Sequence, residues 1–228
     1  MPETSVSTEL LTVGYSGTEV VRDVSFCLPA GESMLLIGHN GAGKSTLLKT
    51  LFGLIKPIKG SGRMCGMPIE ECSPFRLVRS GARFLGQGTR SFDHLNIAQH
   101  RAILTKLYGL PVEASDLGIN DGPTDRRVGA LSMGQRRLEA LRTLSVGSPR
   151  LFVLDEPVAG VDPRNAGLIR EWIMKRQERG VSFIVAEHSF RDLLALFPRT
   201  LVLRRGAVSY FGSSEELRAD AKLAEVYL

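Results

Sequence analysis

Nine residues, Gly38-His39-Asn40-Gly41-Ala42-Gly43-Lys44-Ser45-Thr46, set the narrowest limit on what this chain can become. They follow an apolar run, Met34-Leu35-Leu36-Ile37, and precede a helix-like stretch from Leu47 to Leu54, so the order reads strand, glycine loop, helix. Glycines let successive backbone N–H groups turn inward around an anion. The helix that follows aims its positive end at the same point. Lys44 is placed to reach the outer phosphates of a nucleotide, and Ser45 to hold Mg2+ through its hydroxyl. This is the setting of a phosphate-binding loop.

The chain of 228 residues has room for one domain, or one domain with a sizeable insertion. With 43% apolar and 23% charged residues it is globular rather than disordered. The net charge of +5 is dispersed, with three adjacent arginine pairs, Arg126-Arg127, Arg136-Arg137 and Arg204-Arg205, and reads as solvated surface. Cys27, Cys65 and Cys72 have neither C-x-x-C nor zinc spacing, which fits a reducing compartment. The polar start, Met1 to Ser5, lacks a secretory apolar core, and no apolar run reaches the ~18 residues of a membrane span. Work at a membrane would need another chain to supply the spanning helices.

Residues 8–28 alternate apolar and polar around Ser16-Gly17 and predict a β-hairpin. Tyr15, near its turn, either packs in the hairpin or offers a ring to stack on a purine. Pro29 to Glu32 form a turn. After the loop helix come Gly53, Pro57 and Gly60-Ser61-Gly62, then a short strand from Arg63 to Cys65, so this region reads as mixed β with one helix. A strand at Phe84-Leu85 ends in Gln87. From there the character changes: Asn96 to Leu107 and Gln135 to Val146 carry helical apolar spacing, which predicts a helical insertion with an exposed loop at Gly118 to Pro123. Ser132 is a fair N-cap for the second helix, and Gly134 in its first turn makes sense if something must approach the backbone closely. An anion at that helix start would be well placed.

Leu151-Phe152-Val153-Leu154 is the continuous apolar run of a buried parallel strand, and it ends in Asp155-Glu156. Carboxylates at the end of such a strand sit where open α/β sheets bind ligands. Asp155 suits Mg2+ beside Ser45, and Glu156 suits a general base for water attacking a γ-phosphate. Asp162-Pro163 starts a helix with an apolar face at Leu168, Ile169, Trp172 and Ile173, closed by Gly180. Trp172 reads as core. Ser182 to Ala186 is a second buried strand ending in Glu187-His188, which brings His188 to the same sheet edge as Glu156. His39, His94 and His100 read as ordinary. A hairpin around Arg205-Gly206 and a short helix capped at Ser213 to Glu216 finish the pattern.

In this order the residues resemble the nucleotide-binding subunit of an ABC transporter. Tyr15 matches the A-loop aromatic, Gly38 to Thr46 the Walker A loop, and Gln87 the Q-loop glutamine. Leu131 to Gln135 match the signature, Leu151 to Glu156 the Walker B strand, Ala159 to Asp162 the D-loop, and His188 the switch histidine. The resemblance covers essentially the whole chain. It implies an α/β fold: a P-loop NTPase core at 1–86 and 150–228, with a mixed or antiparallel β subdomain, and a helical subdomain at 87–149. It implies an ATPase using ATP and Mg2+. Nucleotide would be held by Tyr15, Gly38, Asn40, Gly41, Ala42, Gly43, Lys44, Ser45 and Thr46, and metal by Ser45, Gln87 and Asp155. Glu156, His188, Lys44 and Gln87 would carry catalysis. Ser132, Gly134 and Gln135 would serve a nucleotide in trans, across a head-to-tail dimer.

The same resemblance implies transmembrane permease partners, a second ATP-binding subunit and a solute-binding protein, but no nucleic acid. The subunit would sit in the cytoplasm against the inner face of the membrane. Three positions depart from the family pattern: Met133 replaces the first signature glycine, Val161 the usual D-loop leucine, and Ser189 the aspartate often found after the histidine. Gln87 to Phe92 and the Glu187-His188 pair are similar to branched-chain amino acid importer ATPases, which points to import of such amino acids or a similar small solute. A soluble ABC-type protein acting on nucleic acid or ribosomes would instead be expected to carry a second cassette or a long coiled-coil insertion. An idle, ATP-binding regulatory subunit is suggested by Met133 alone.

Overall fold

The amino-terminal alternation forms a long antiparallel hairpin. Strands β1 (Thr4–Tyr15) and β2 (Thr18–Pro29) turn at Ser16-Gly17, with φ of 48° and 81°. Two positive φ values are what a tight hairpin turn matching the strand twist requires. The computed structural model describes residues 4–88, 93–108, 124–188 and 193–219. The expected loop at Gly118–Pro123, the run Thr89–Phe92 and Ser189 lie outside these residues.

Next come β3 (Met34–Ile37), buried along its whole length, and α1 (Lys44–Leu51). β4 (Lys59–Met64) pairs antiparallel with β1 and with the short β5 (Met67–Pro68). The stretch up to Cys65 has one helix, as read, and a second helix, α2 (Pro74–Arg79), follows beyond it. Its six residues are too few to show a helical period, although Ser73 caps it and Pro74 occupies its first turn. Then follow β6 (Ala82–Leu85), α3 (Ile97–Tyr108), α4 (Met133–Leu144) and β7 (Leu151–Asp155). The chain continues through α5 (Pro163–Gln177), β8 (Ser182–Glu187), β9 (Arg199–Arg204), β10 (Ala207–Ser213) and α6 (Ser214–Ala219).

The strands form one sheet in the order β5-β4-β1-β2-β10-β9-β3-β8-β7-β6. Its half from β9 to β6 is parallel. β10 pairs antiparallel with β9, and through the single parallel pair of Ala207 with Arg22 it joins the antiparallel arm β5-β4-β1-β2. Successive side chains on a strand point to opposite faces, and β7 divides accordingly. Leu151 and Val153 pack with Leu47, Leu48 and Leu51 of α1, while Phe152 and Leu154 pack with Ile169, Trp172 and Ile173 of α5. The second face is anchored by aromatics. Trp172 stands edge-on to Phe152 and Phe183, at 5.0 and 5.6 Å between ring centres, and those two phenylalanines stack at 5.2 Å. Each such pair adds about 0.5–1.5 kcal/mol beyond its buried area. α1 is therefore held between the parallel sheet and the antiparallel arm, with its first turn at the carboxyl ends of β3, β7 and β8.

Candidate active site

The loop from Gly38 to Thr46 joins β3 to α1 and is shaped by what crowds it. Gly43 has φ of 100° and caps α1 with no side-chain hydrogen bond; a Cβ there would lie 2.1 Å from Cγ2 of Val21. A Cβ on Gly38 would lie 2.4 Å from the Leu203 carbonyl oxygen. These glycines are needed by the packing of the arm and of β9. Asn40 and Gly41 are exposed, Ser45 is half-buried, and Ala42, Gly43, Lys44 and Thr46 are buried. Lys44 folds back over the loop, its Nζ donating to the carbonyls of Gly38 at 2.6 Å and His39 at 3.2 Å. Burial lowers its pKa, opposed by the nearby carboxylates of Glu156, Asp155 and Glu187.

Three carboxylates act on that ammonium through their charge: Asp155 at the end of β7, Glu156 just beyond it and Glu187 at the end of β8. Asp155 is fully buried, and neither of its oxygens has a hydrogen-bond partner among the described residues. Burial raises its pKa, with the Ser45 hydroxyl as the chief opposing influence, in an approach looser than a full hydrogen bond. A bare buried carboxylate beside a hydroxyl is an incomplete polar site. Its hard oxygen donors suit Mg2+, which takes few protein ligands and keeps its waters. Gln87 has its Nε2 engaged at 2.9 Å with Oε2 of Glu156, so its amide oxygen is what remains for a metal.

Glu156 lies in the left-handed region at φ 53°, a conformation costing about 1–2 kcal/mol in a residue with a Cβ. Its N–H donates to the Ala186 carbonyl at 2.8 Å. Its Oε1 lies 3.5 Å from Nδ1 of His188, whose side chain is 42% exposed. Glu187 is fully buried; its Oε1 accepts from the Val158 N–H at 2.9 Å, and its Oε2 has no hydrogen-bond partner among the described residues and lies 3.9 Å from Nδ1 of His188. Burial, reinforced by the charge of Glu156, pushes its pKa up to about 7.

Arg137 was read as solvated surface, and the structure corrects this. The residue is buried and donates to the carbonyls of Gly86 at 3.1 Å, Gln87 at 3.4 Å and Glu156 at 3.2 Å. One planar fork therefore fixes α4, the glutamine segment and the strained glutamate together. Its partners lie 51, 50 and 19 residues away in the chain, so no local pattern marks it. The adjacent Arg136 donates to the Leu131 carbonyl at 3.1 Å.

Ser132 caps α4 as expected. Its Oγ accepts from the Gln135 N–H at 3.2 Å, and Gln135 Oε1 accepts from the Ser132 N–H at 3.1 Å. Gly134 is crowded by its own chain: a Cβ there would come within 2.9 Å of Asn165 Nδ2 and Asp162 Oδ2. Met133 is 56% exposed and lies over Gly160 of the D-loop. Tyr15 is 46% exposed at the hairpin tip, away from the loop's own hydrogen bonds.

Residues 21–159 match the sequence profile described as ABC transporter. The chain belongs to the ABC transporter ATP-binding family. It is 33% identical over 224 residues to the lipopolysaccharide export system ATP-binding protein LptB of Acidithiobacillus ferridurans, covering 94% of this chain and 92% of that protein. It is 29% identical to the Nod factor export ATP-binding protein I of Mesorhizobium japonicum, over 86% of this chain and 59% of that one. The fold superposes on a nucleotide-free ATP-binding cassette from an ABC transporter with a TM-score of 0.80 and 22% identity, covering 99% of each chain. As an ABC ATPase the protein binds and hydrolyses ATP, and it is a subunit of a transport system that includes membrane permeases and a second ATPase subunit.

Proposed function

We propose that this ABC ATPase powers export of a solute through a permease pair, hydrolysing ATP at two sites shared by head-to-tail subunits. The observation that carries the chemistry is Glu156, held by Gln87 at 2.9 Å, within 3.5 Å of His188, and beside Lys44 and Asp155. In this reading the loop amides and Lys44 bind the triphosphate, and Tyr15 stacks on the base. Glu156 takes the proton of the attacking water while His188 orients it. Mg2+, when bound by Ser45, Asp155 and Gln87, supplies neutralising charge to the phosphates. Ser132, Gly134 and Gln135 serve the nucleotide of the opposite subunit.

Residues 87–149, described here through α3 and α4, would dock the permease, with the subunit lying against the inner face of the membrane. No helix among the described residues is long and apolar enough to cross a membrane. The export systems named among the relatives favour export. Import of branched-chain amino acids, with a solute-binding protein, is the second reading; it rests on Glu187-His188 and on the run Gln87 to Phe92, most of which lies outside the described residues.

The test compares ATPase rates of the wild type and Glu156→Gln with permease supplied. Loss of a general base costs roughly 10²–10⁴-fold. A fall of that order with ATP binding retained supports the role of Glu156, and equal rates remove it.

A further inference from the structure

The strands that deliver Asp155 and Glu187 to the active site begin at a second cavity. A cleft of about 640 Å³ opens where β7 starts at Arg150-Leu151 and β8 at Ser182, between the Ala30-Gly31 turn and the end of α2 at Arg79-Ser80. That volume is within the range of small-molecule sites. From Leu151 to Asp155 is four residue steps, roughly 13 Å at about 3.3 Å per residue, so the two sites are separate.

The charged residues among the described lining are Arg79 and Arg150, and no acidic residue is among them. Arg79 lies 5.6 Å over the ring of Phe75, and neither arginine has an ion-pair partner among the described residues. The cleft also has buried hydroxyls: Ser182 is fully buried and Ser5 is 9% exposed. Ser182 Oγ accepts from the Gly31 N–H at 2.8 Å and shares a 3.2 Å hydrogen bond with Ser5 Oγ. Two hydroxyls carry two protons, and one proton serves the bond between them. If Ser182 donates, the second proton belongs to Ser5; if Ser5 donates, it belongs to Ser182. Either way one of the two O–H groups has no acceptor among the described residues, in a lining whose charged residues are both arginines. An unmet buried donor calls for an acceptor.

We propose that this cleft binds the phosphoryl group of a small phosphorylated molecule. Arg79 ends α2 and Arg150 precedes β7, so the two arginines come from different elements, and the hydroxyl donor is a third group. A phosphate monoester presents three terminal acceptor oxygens and can meet all three, whereas a carboxylate presents two. Apolar lining is limited to Ala30, Cys65 and Leu151, which suits a polar ligand body. The inference is independent of the direction of transport.

The test is calorimetric titration of the full chain carrying Glu156→Gln and saturated with ATP and Mg2+, so that the phosphate loop is already filled. The probes are glycerol 3-phosphate and inorganic phosphate. Glycerol 3-phosphate is expected to bind one site per chain. Binding is expected to weaken at least tenfold when Arg79→Ala and Arg150→Ala are added, with ATP affinity unchanged because both arginines are exposed. Tighter binding of the ester assigns the site to an organic phosphate, and equal binding assigns it to free phosphate; both support a phosphoryl site. Absence of binding by either probe, or binding that the arginine variant retains, overturns the proposal.

Discussion

Glu187→Gln isolates one buried proton. Glu187 is fully enclosed, has one oxygen without a hydrogen bond among the described residues, and is pushed by burial from an ordinary value of 4.5 up to about 7. The folded protein therefore holds this proton more tightly than the unfolded chain. The resulting stability is fully present below pH 4.5 and is lost as pH rises through about 7. A displacement of about 2.5 pH units at 1.36 kcal/mol each amounts to about 3 kcal/mol. Glutamine is neutral throughout and keeps an acceptor for the Val158 N–H. Urea unfolding of both proteins without nucleotide, at pH 5 and pH 8, reads the difference. Between these pH values the wild type should lose about 2–3 kcal/mol relative to the variant, part of the total having gone already by pH 5. Parallel stabilities, or a wild type that gains on the variant as pH rises, would refute the assignment of a buried protonated acid.

Gly43→Ala forces a Cβ against Val21 at φ 100°; it should cost about 2–3 kcal/mol in thermal unfolding and weaken ATP binding. Arg137→Ala takes a donor from three carbonyls, and that of Glu156 keeps only the Ala159 N–H at 3.4 Å. It should cost about 2–3 kcal/mol and slow hydrolysis while ATP still binds, and Arg137→Lys should not restore the rate because an ammonium lacks the planar fork. Ser132→Ala removes a helix cap worth about 1 kcal/mol. In steady-state assays it should lower turnover while each subunit's ATP affinity stays the same.

Features encoded locally were legible in the sequence. The glycine loop, the fully buried strands β7 and β8 with their apolar runs, the Asp162-Pro163 helix start and the Ser16-Gly17 turn each depend on neighbouring residues, and each lies where the pattern placed it. Trp172 is core, as its helical spacing indicates. Features made by tertiary contact were not legible. Arg137 and Arg83 look like surface charge, yet both are buried, and Arg83 donates to the carbonyls of Leu144 and Val146 at the end of α4. Gly134 was assigned to close approach by a distant group; the structure adds Asp162 and Asn165 as neighbours in the same chain. The strain at Glu156 likewise belongs to the turn and to Arg137, and has no signature in composition or period.

Sedimentation velocity of the Glu156→Gln protein, with and without ATP and Mg2+, tests most directly whether two subunits close on shared nucleotide. The expected result is a monomer that becomes a dimer on adding ATP and returns to monomer when ATP is removed. A protein saturated with ATP that sediments as a monomer at every concentration would contradict a shared site.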